Sequence, residues 1–374
     1  MARLTELTPA QVSVLTLLRR ERILTAAQAA RHLALSVPTV TARMRSLMDA
    51  GLARAAGFAR SSGGRRPLRY ALEPRGALAV GVAVWPDRIE LVTADLDLTP
   101  VSSSSRTLRG RMSAARLAAT IREVVSSAAA AEPLGVGVSL PGVVDARRAV
   151  LTVAPNLFIR EMPLSEPGLR LPTMFENEAN AAALAETWCH PRPDGTTVVF
   201  VSVSQGVGVG IVMDGRLYRG ARWRAGEFGH VAVSGGRRRC TCGRTGCWEQ
   251  YASQTALMRR FHAAVRRRPR PERRFLAHFL EALRLGSPAA LESLEWYLDH
   301  FSLGLQNVVS CLDPDEIVIG GAVAAIGERL VAGLRQRLDA APLASPSPRI
   351  CLSQLGPNAP VLGAAVLQLH RLFG

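Results

Sequence analysis

Gly226–Gln250 reads GEFGHVAVSGGRRRCTCGRTGCWEQ and holds one histidine and three of the six cysteines, in the order His230, Cys240, Cys242, Cys247. Three thiolates and an imidazole are the donor set of a closed, four-coordinate zinc site, the kind that organises a loop rather than reacts. Core packing does not readily account for a Cys-x-Cys-x4-Cys run. Two carboxylates flank the set, Glu227 three residues before His230 and Glu249 two residues after Cys247. The stretch therefore predicts a structural Zn2+ ion that fixes two acidic side chains beside a ligand pocket.

Metal binding needs reduced thiols, and the rest of the chain suits a reducing compartment. No run of eighteen apolar residues is free of charge, and the N-terminal MARLTELTPAQVSVLTLLRRER has no apolar core with a small-residue cleavage site. A cytoplasmic protein without membrane association is expected. Cys189, Cys311 and Cys351 stand singly among apolar neighbours and read as ordinary buried thiols. With 374 residues, 48% hydrophobic, the chain is long enough for two or three domains with real cores.

The net charge of +16 is carried by arginine alone, since the chain contains no lysine. GC-rich coding bias explains part of this. The distribution adds something: residues 1–75 hold 13 Arg against 4 Asp+Glu, a net of +9 in a fifth of the chain. A basic module at one end is the electrostatic footprint of nucleic-acid binding.

That end has the matching pattern. Apolar residues at 12, 14, 15, 17 and 18 mark a first helix, with Pro9 suited to its first turn. Thr25 opens a second, AAQAARHLAL. Ser36 is the expected N-cap of a third, VPTVTARMRSLMDAGL, ending at Gly51. On that third helix Val40, Met44, Leu47 and Met48 share one face. Thr39, Ala42, Arg45 and Ser46 lie opposite, with Thr41 and Arg43 on the shoulders. Leu52–Leu72 then reads strand, basic tip, strand. The order gives a winged helix-turn-helix over residues 1–75, reading double-stranded operator DNA through Thr39, Thr41, Arg43 and Arg45, with Arg65 and Arg66 on the wing.

From residue 76 onward strands alternate with helices, which indicates an α/β domain. ALAVGVAV and RIELVTADLDL form a strand pair, and an alanine-rich helix follows at Ala114–Ala131. LGVGVSLPGVVDA is a buried strand ending in a Pro-Gly turn, and PTMFENEANAAALAE a strand running into a helix. TVVFVSVSQGVGVGIVM reads strand, glycine turn, strand, and DEIVIGGAVAAIGERL reads strand, turn, helix. Ser102–Ser105 and Arg266–Arg274 are low-complexity patches, the second a solvated linker between helices.

These motifs carry a resemblance. Gly206–Gly210, DGRLYRGARWRAGEFGH, CTCGRTGCWE, LPGVVD, APNL, ENEANAAALAE and IVIGGAV stand in the order of the ROK family (repressors, open reading frames and sugar kinases). The resemblance covers the chain from about residue 77, and the basic winged helix with its SSGGRRP segment resembles the family's transcription-factor branch. It implies a two-lobed, actin-like (ribonuclease H-like) sugar-kinase-type domain over 76–374. The first lobe would span about 77–193 plus the C-terminal helix. The second would span about 194–360, with the zinc loop at 226–250. It also implies zinc ligation by His230, Cys240, Cys242 and Cys247, and sugar contacts from Asn177, Glu178, Glu227, His230 and Glu249. Carboxylates and amides suit sugar hydroxyls, which both donate and accept.

The phosphoryl-transfer motifs depart from the family. Where its kinases carry an Asp-x-Gly-Gly-Thr loop, this chain has Gly81-Val82-Ala83-Val84-Trp85-Pro86, without the Asp, the Gly pair or the Thr. The second phosphate motif is Ser204-Gln205-Gly206, and Glu178 replaces the family's catalytic Asp. Phosphoryl transfer depends on positioning and charge neutralisation, so no catalytic residue and no kinase activity are expected. The reading is a sugar-responsive transcriptional repressor of carbohydrate uptake or catabolism genes, acting as a homodimer or dimer of dimers. An active sugar kinase with an accessory DNA-binding domain, or a regulator answering to a protein partner, are the alternatives.

Overall fold

The computed structural model describes residues 7–60, 66–108, 113–128, 132–164, 171–233, 237–266, 272–341 and 346–373. The chain resolves into two compact units. One comprises Met1–Leu140, Pro163–Glu176 and Ala364–Gly374, the other Pro141–Met162 and Asn177–Gly363.

The first unit opens with helices Pro9–Glu21, Ala26–Leu33 and Val37–Asp49, the last starting at Ser36, the cap the sequence places. Thr8 with Gln11, and Thr25 with Gln28, close reciprocal capping boxes, and Ser36 Oγ accepts from Thr39 N. Val14, Leu15, Leu18, Val40, Met44 and Leu47 are removed from solvent, which holds the three helices together. Strands Ile23–Thr25, Leu68–Leu72 and Ala53–Phe58 lie in that order as an antiparallel sheet, completing a winged helix.

A five-stranded sheet follows in the same unit, ordered Thr173–Asn177, Val136–Leu140, Ala79–Val84, Arg88–Ala94, Pro100–Thr107. The Ser102–Ser105 patch is the middle of the last strand, its backbone paired with Arg88–Ala94. All eight of its side chains are exposed, so no apolar alternation marks it as a strand. The alanine-rich helix is described over Ala114–Ala128.

The second unit is built on a sheet ordered Arg216–Leu217, Val207–Met213, Thr197–Val203, Glu316–Gly321, Arg349–Leu352. Thr197–Val203 runs antiparallel to Val207–Met213 and parallel to Glu316–Gly321. Both faces are covered, which explains the nearly unbroken apolar run VVFVSV. Val199, Val201 and Val203 face a core with Phe261, Phe279, Tyr297, Phe301 and Leu305 from helices Gln254–Val265, Glu272–Arg284 and Pro288–Leu312. Val198 and Phe200 face Ala182 and Ala183 of helix Glu178–Cys189.

Two sequence expectations change here. Arg266–Arg274 is not linker throughout: Arg266 caps one helix, Arg273 and Arg274 lie in the first turn of the next, and 267–271 fall outside the described residues. Nor are the three isolated cysteines ordinary buried thiols. Cys311 is exposed, Cys189 and Cys351 are half-buried, and the Cys351 thiol donates to Glu316 Oε1 at 3.2 Å. Apolar neighbours in sequence say little about exposure near a helix end or on an outer strand. No helix among the described residues is long and apolar enough to cross a membrane.

Candidate metal centre and sugar site

The donor atoms of His230, Cys240, Cys242 and Cys247 all lie within 4.8 Å of one another, so the cluster can hold a metal ion. His230 Nδ1 stands 3.5 Å from Cys240 Sγ, and the sulfurs of Cys242 and Cys247 are 3.6 Å apart. His230 comes from the 3-10 turn Glu227–His230, and the cysteines from the loop that follows. Bridges Ala232↔Cys247 and Arg239↔Thr245 fold that loop back on itself. Trp248, next to the last ligand, anchors it. Its indole is fully buried, Nε1 donates to the His300 carbonyl at 3.1 Å, and a Cβ on Gly304 of helix Pro288–Leu312 would overlap the ring. Only glycine at 304 lets the loop seat this deeply.

The two flanking acids join the cluster. Glu249 Oε1 accepts from the Cys240 thiol at 2.9 Å and stands 3.7 Å from His230 Nδ1. Glu227 Oε2 lies 3.7 Å from His230 Nε2. One imidazole nitrogen thus faces the thiols and the other faces Glu227. Burial raises the Glu227 carboxyl above the ordinary range, with His230 pulling the other way.

Strand Val207–Met213 and the turn before it explain how distant acids converge. Alternate residues face opposite sides of a strand. Val207, Val209 and Ile211 enter the helical core, while Gly206, Gly208 and Gly210 line the other side. A Cβ on Gly206 would stand 2.9 Å from Glu249 Oε2, and one on Gly208 3.0 Å from the Ala179 methyl. At Gly210 it would overlap the Ala179 carbonyl. The bare face therefore lets Glu249 and the N-terminus of helix Glu178–Cys189 approach one strand together.

Glu178 is the first residue of that helix and is half-buried; desolvation pushes its carboxyl up to about 7. Asn177 is the N-cap. Its Oδ1 accepts from Ala179 N and Asn180 N at 2.8 and 3.1 Å, and Nδ2 donates to the Gly142 carbonyl at 2.8 Å. It carries a structural duty that the sequence reading does not assign to it.

The stretches that correspond to phosphate loops are closed by their own residues. In the first unit Trp85 N donates to the Arg88 carbonyl at 2.8 Å, and Trp85 Nε1 donates to Glu90 Oε2 at 3.0 Å. The Arg88 guanidinium lies 4.8 Å from the indole centroid and pairs with Glu90 at 2.7 Å. In the second unit Ser204 N donates to the Gly206 carbonyl at 3.0 Å, and Ser204 Oγ accepts from Ala322 N at 3.3 Å.

On helix Val37–Asp49, Pro38, Ala42, Arg45, Ser46 and Asp49 are exposed, whereas Thr39, Thr41 and Arg43 are half-buried. Thr39 Oγ1 is hydrogen-bonded to Ser36 at 2.7 Å, and Thr41 Oγ1 donates to the Val37 carbonyl at 2.8 Å. Arg66 is exposed, and Arg65 lies outside the described residues. Helical spacing already places Ala42 on the outward arc, and the same spacing could have found Pro38.

A winged helix ahead of a sugar-kinase-type α/β fold with a His/Cys3 cluster defines a class, that of DNA-binding regulators built on a kinase scaffold. A ROK family profile matches residues 80–371, and a winged helix-turn-helix DNA-binding profile matches residues 7–54. The chain belongs to the ROK family. It is 27% identical to the xylose repressor of Bacillus subtilis over 349 residues, covering 91% of this chain and 89% of that protein. It is 32% identical to a glucokinase of Streptomyces coelicolor over 256 residues, covering 63% of this chain and 80% of the enzyme. Among solved structures, a ROK family transcriptional regulator described as a homolog of the E. coli MLC protein superposes with a TM-score of 0.77. It is 21% identical, covers 97% of this chain and 96% of its own, and speaks to fold alone.

Proposed function

We propose that this protein is a sugar-responsive DNA-binding repressor whose kinase-type domain senses a sugar without phosphorylating it. The observation that carries the reading is the bare glycine face at 206–210. Glu249 lies against one end of it beside His230, and helix Glu178–Cys189 packs on it through Ala179, in a chain that also carries a winged helix. In this reading residues 1–75 bind DNA and 76–374 bind the sugar.

The ion is Zn2+. A tetrahedron with metal–sulfur bonds of about 2.3 Å has sulfur–sulfur edges of about 3.8 Å; the Cys242–Cys247 separation of 3.6 Å fits that edge. His230, Cys240, Cys242 and Cys247 hold it, and its role is to lock the loop. Glu227, Glu249 and the Nε2 side of His230 then contact sugar hydroxyls, with Asn177 and Glu178 completing the set. Xylose and glucose are the first candidates, because the relatives include xylose repressors and glucokinases. Arg45 and Arg66, with Thr39, Thr41, Arg43 and Arg65, meet DNA. A two-fold operator calls for a homodimer or dimer of dimers. A coupling of about 1–3 kcal/mol between sites changes DNA affinity about 5–150-fold, enough for a switch.

The test is a titration of a selected duplex with the full chain, with and without each sugar that calorimetry shows to bind. DNA affinity unmoved by every binding sugar sinks the switch. One observation favours a second reading: a carboxyl at about 7 suits Glu178 as a general base. That reading expects ATP-dependent sugar phosphorylation abolished by Glu178→Gln. The self-closed turns at Trp85 and Ser204 speak against it, and absence of ADP release with sugar and Mg-ATP decides against it.

A further inference from the structure

The winged helix has a feature that net charge does not explain. Val37 is 45% exposed, and Pro38 and Ala42 are exposed beside Arg45 on one side of helix Val37–Asp49. The three hydroxyls in the same half of the helix all make bonds within it. Ser36 caps Thr39 N, the Thr39 hydroxyl is bonded to Ser36, and Thr41 donates to the Val37 carbonyl. The exposed side chains of its first two turns are Val37, Pro38 and Ala42, all apolar, with the Arg45 guanidinium following them.

In winged-helix and related modules the N-terminal residues of this helix meet base edges in the major groove. The thymine C5-methyl is the one apolar group there. Residues 1–75 carry a net of +9, which brings the face to a polyanion rather than to an apolar protein surface. We infer that Val37, Pro38 and Ala42 form a reading surface for thymine methyl groups, so that each operator half-site carries thymines at the steps facing them, while Arg45 supplies the polar contact. This rests on the DNA-binding reading above and names what that site selects.

Burying one methyl-sized group is worth about 0.8 kcal/mol, about fourfold in affinity at 1.4 kcal/mol per tenfold. The experiment uses full-length protein and duplexes it selects from a random library, compared with the same duplexes carrying deoxyuridine at each thymidine in turn. That change removes the methyl and nothing else from the groove. The expected result is about a fourfold loss at one to three thymidines per half-site. Val37→Ala or Pro38→Ala should abolish the preference for thymidine over deoxyuridine at its own position, read as the ratio of affinities for the two duplexes whatever the overall affinity. Equal affinity for thymidine and deoxyuridine duplexes at every position overturns this inference and leaves the repressor reading standing. Failure to enrich any duplex overturns both.

Discussion

The hairpin at Trp85–Arg88 and the loop Gly226–Gln250 are two regions of one kinase-type fold that have gone opposite ways. In the hairpin, backbone and side chains are satisfied by one another: indole to Glu90, guanidinium to indole and to Glu90. In the loop, four donor atoms and two acids point at one another and are anchored by a buried tryptophan. A kinase needs a phosphate cradle as well as a sugar pocket, and a sensor needs only the pocket. In the proposed sensor recognition is kept while reaction is lost, because the two depend on separate local geometries.

The sharpest way to break this comparison is at the loop. Cys247→Ser removes a donor and disturbs Trp248, so bound metal should fall to background and sugar affinity by more than about 100-fold, as loss of a structural metal removes folding energy outright. Metal analysis with calorimetry reads both, and a metal-free variant with normal sugar affinity would overturn the account of the loop. Next in size, Glu249→Gln should weaken sugar binding about 10–150-fold, the range of a charge-assisted hydrogen bond of about 1.5–3 kcal/mol. Metal content should hold. An unchanged sugar affinity removes Glu249 from the site.

Glu178 gives a pH test of comparable or smaller size. Its folded-state carboxyl lies at about 7, above the ordinary value of 4.5. Between those values the folded state binds the proton more tightly than the unfolded chain, so stability falls as pH rises through that window. Glu178→Gln should flatten the slope and stabilise the protein by about 1–3 kcal/mol at pH 8, discounted for its partial exposure. Denaturant midpoints from pH 4.5 to 8 check it, and identical slopes for both proteins refute the raised carboxyl. The smallest effect is expected at the hairpin. Trp85→Ala should cost about 0.5–1 kcal/mol from the lost cation–π contact, leave sugar affinity within about twofold, and confer no ATP turnover. A tenfold change in sugar affinity would show that the two regions are not separable.

Much of the His/Cys cluster was legible because its information is local. Cys240, Cys242 and Cys247 are close in the chain, and a loop of that length brings their sulfurs together whatever surrounds it. The helix starts at Thr25 and Ser36 were legible for the same reason, since a cap acts on amides two or three residues away; the Thr8 cap follows the same rule but was not read. The serine strand was not legible. Its pairing comes from Arg88–Ala94, and neither face is buried, so the pattern that reports strands is missing. The outward face of helix Val37–Asp49 was half legible: periodicity found the arc, but the bonds that the Thr39 and Thr41 hydroxyls make within the helix appear only in three dimensions.

The sequence by itself therefore determined the ligand cluster, the helix caps and the winged-helix order, each set by groups within a few residues of one another. Tertiary structure alone decided that Glu249 packs at Gly206 and the start of helix Glu178–Cys189 at Gly208 and Gly210, and that Asn177 serves as a cap. It also decided that the Trp85 hairpin is satisfied by its own residues. The physical reason is that convergence of distant segments depends on strand pairing and on where a Cβ would collide, and neither is written in the spacing of any one segment.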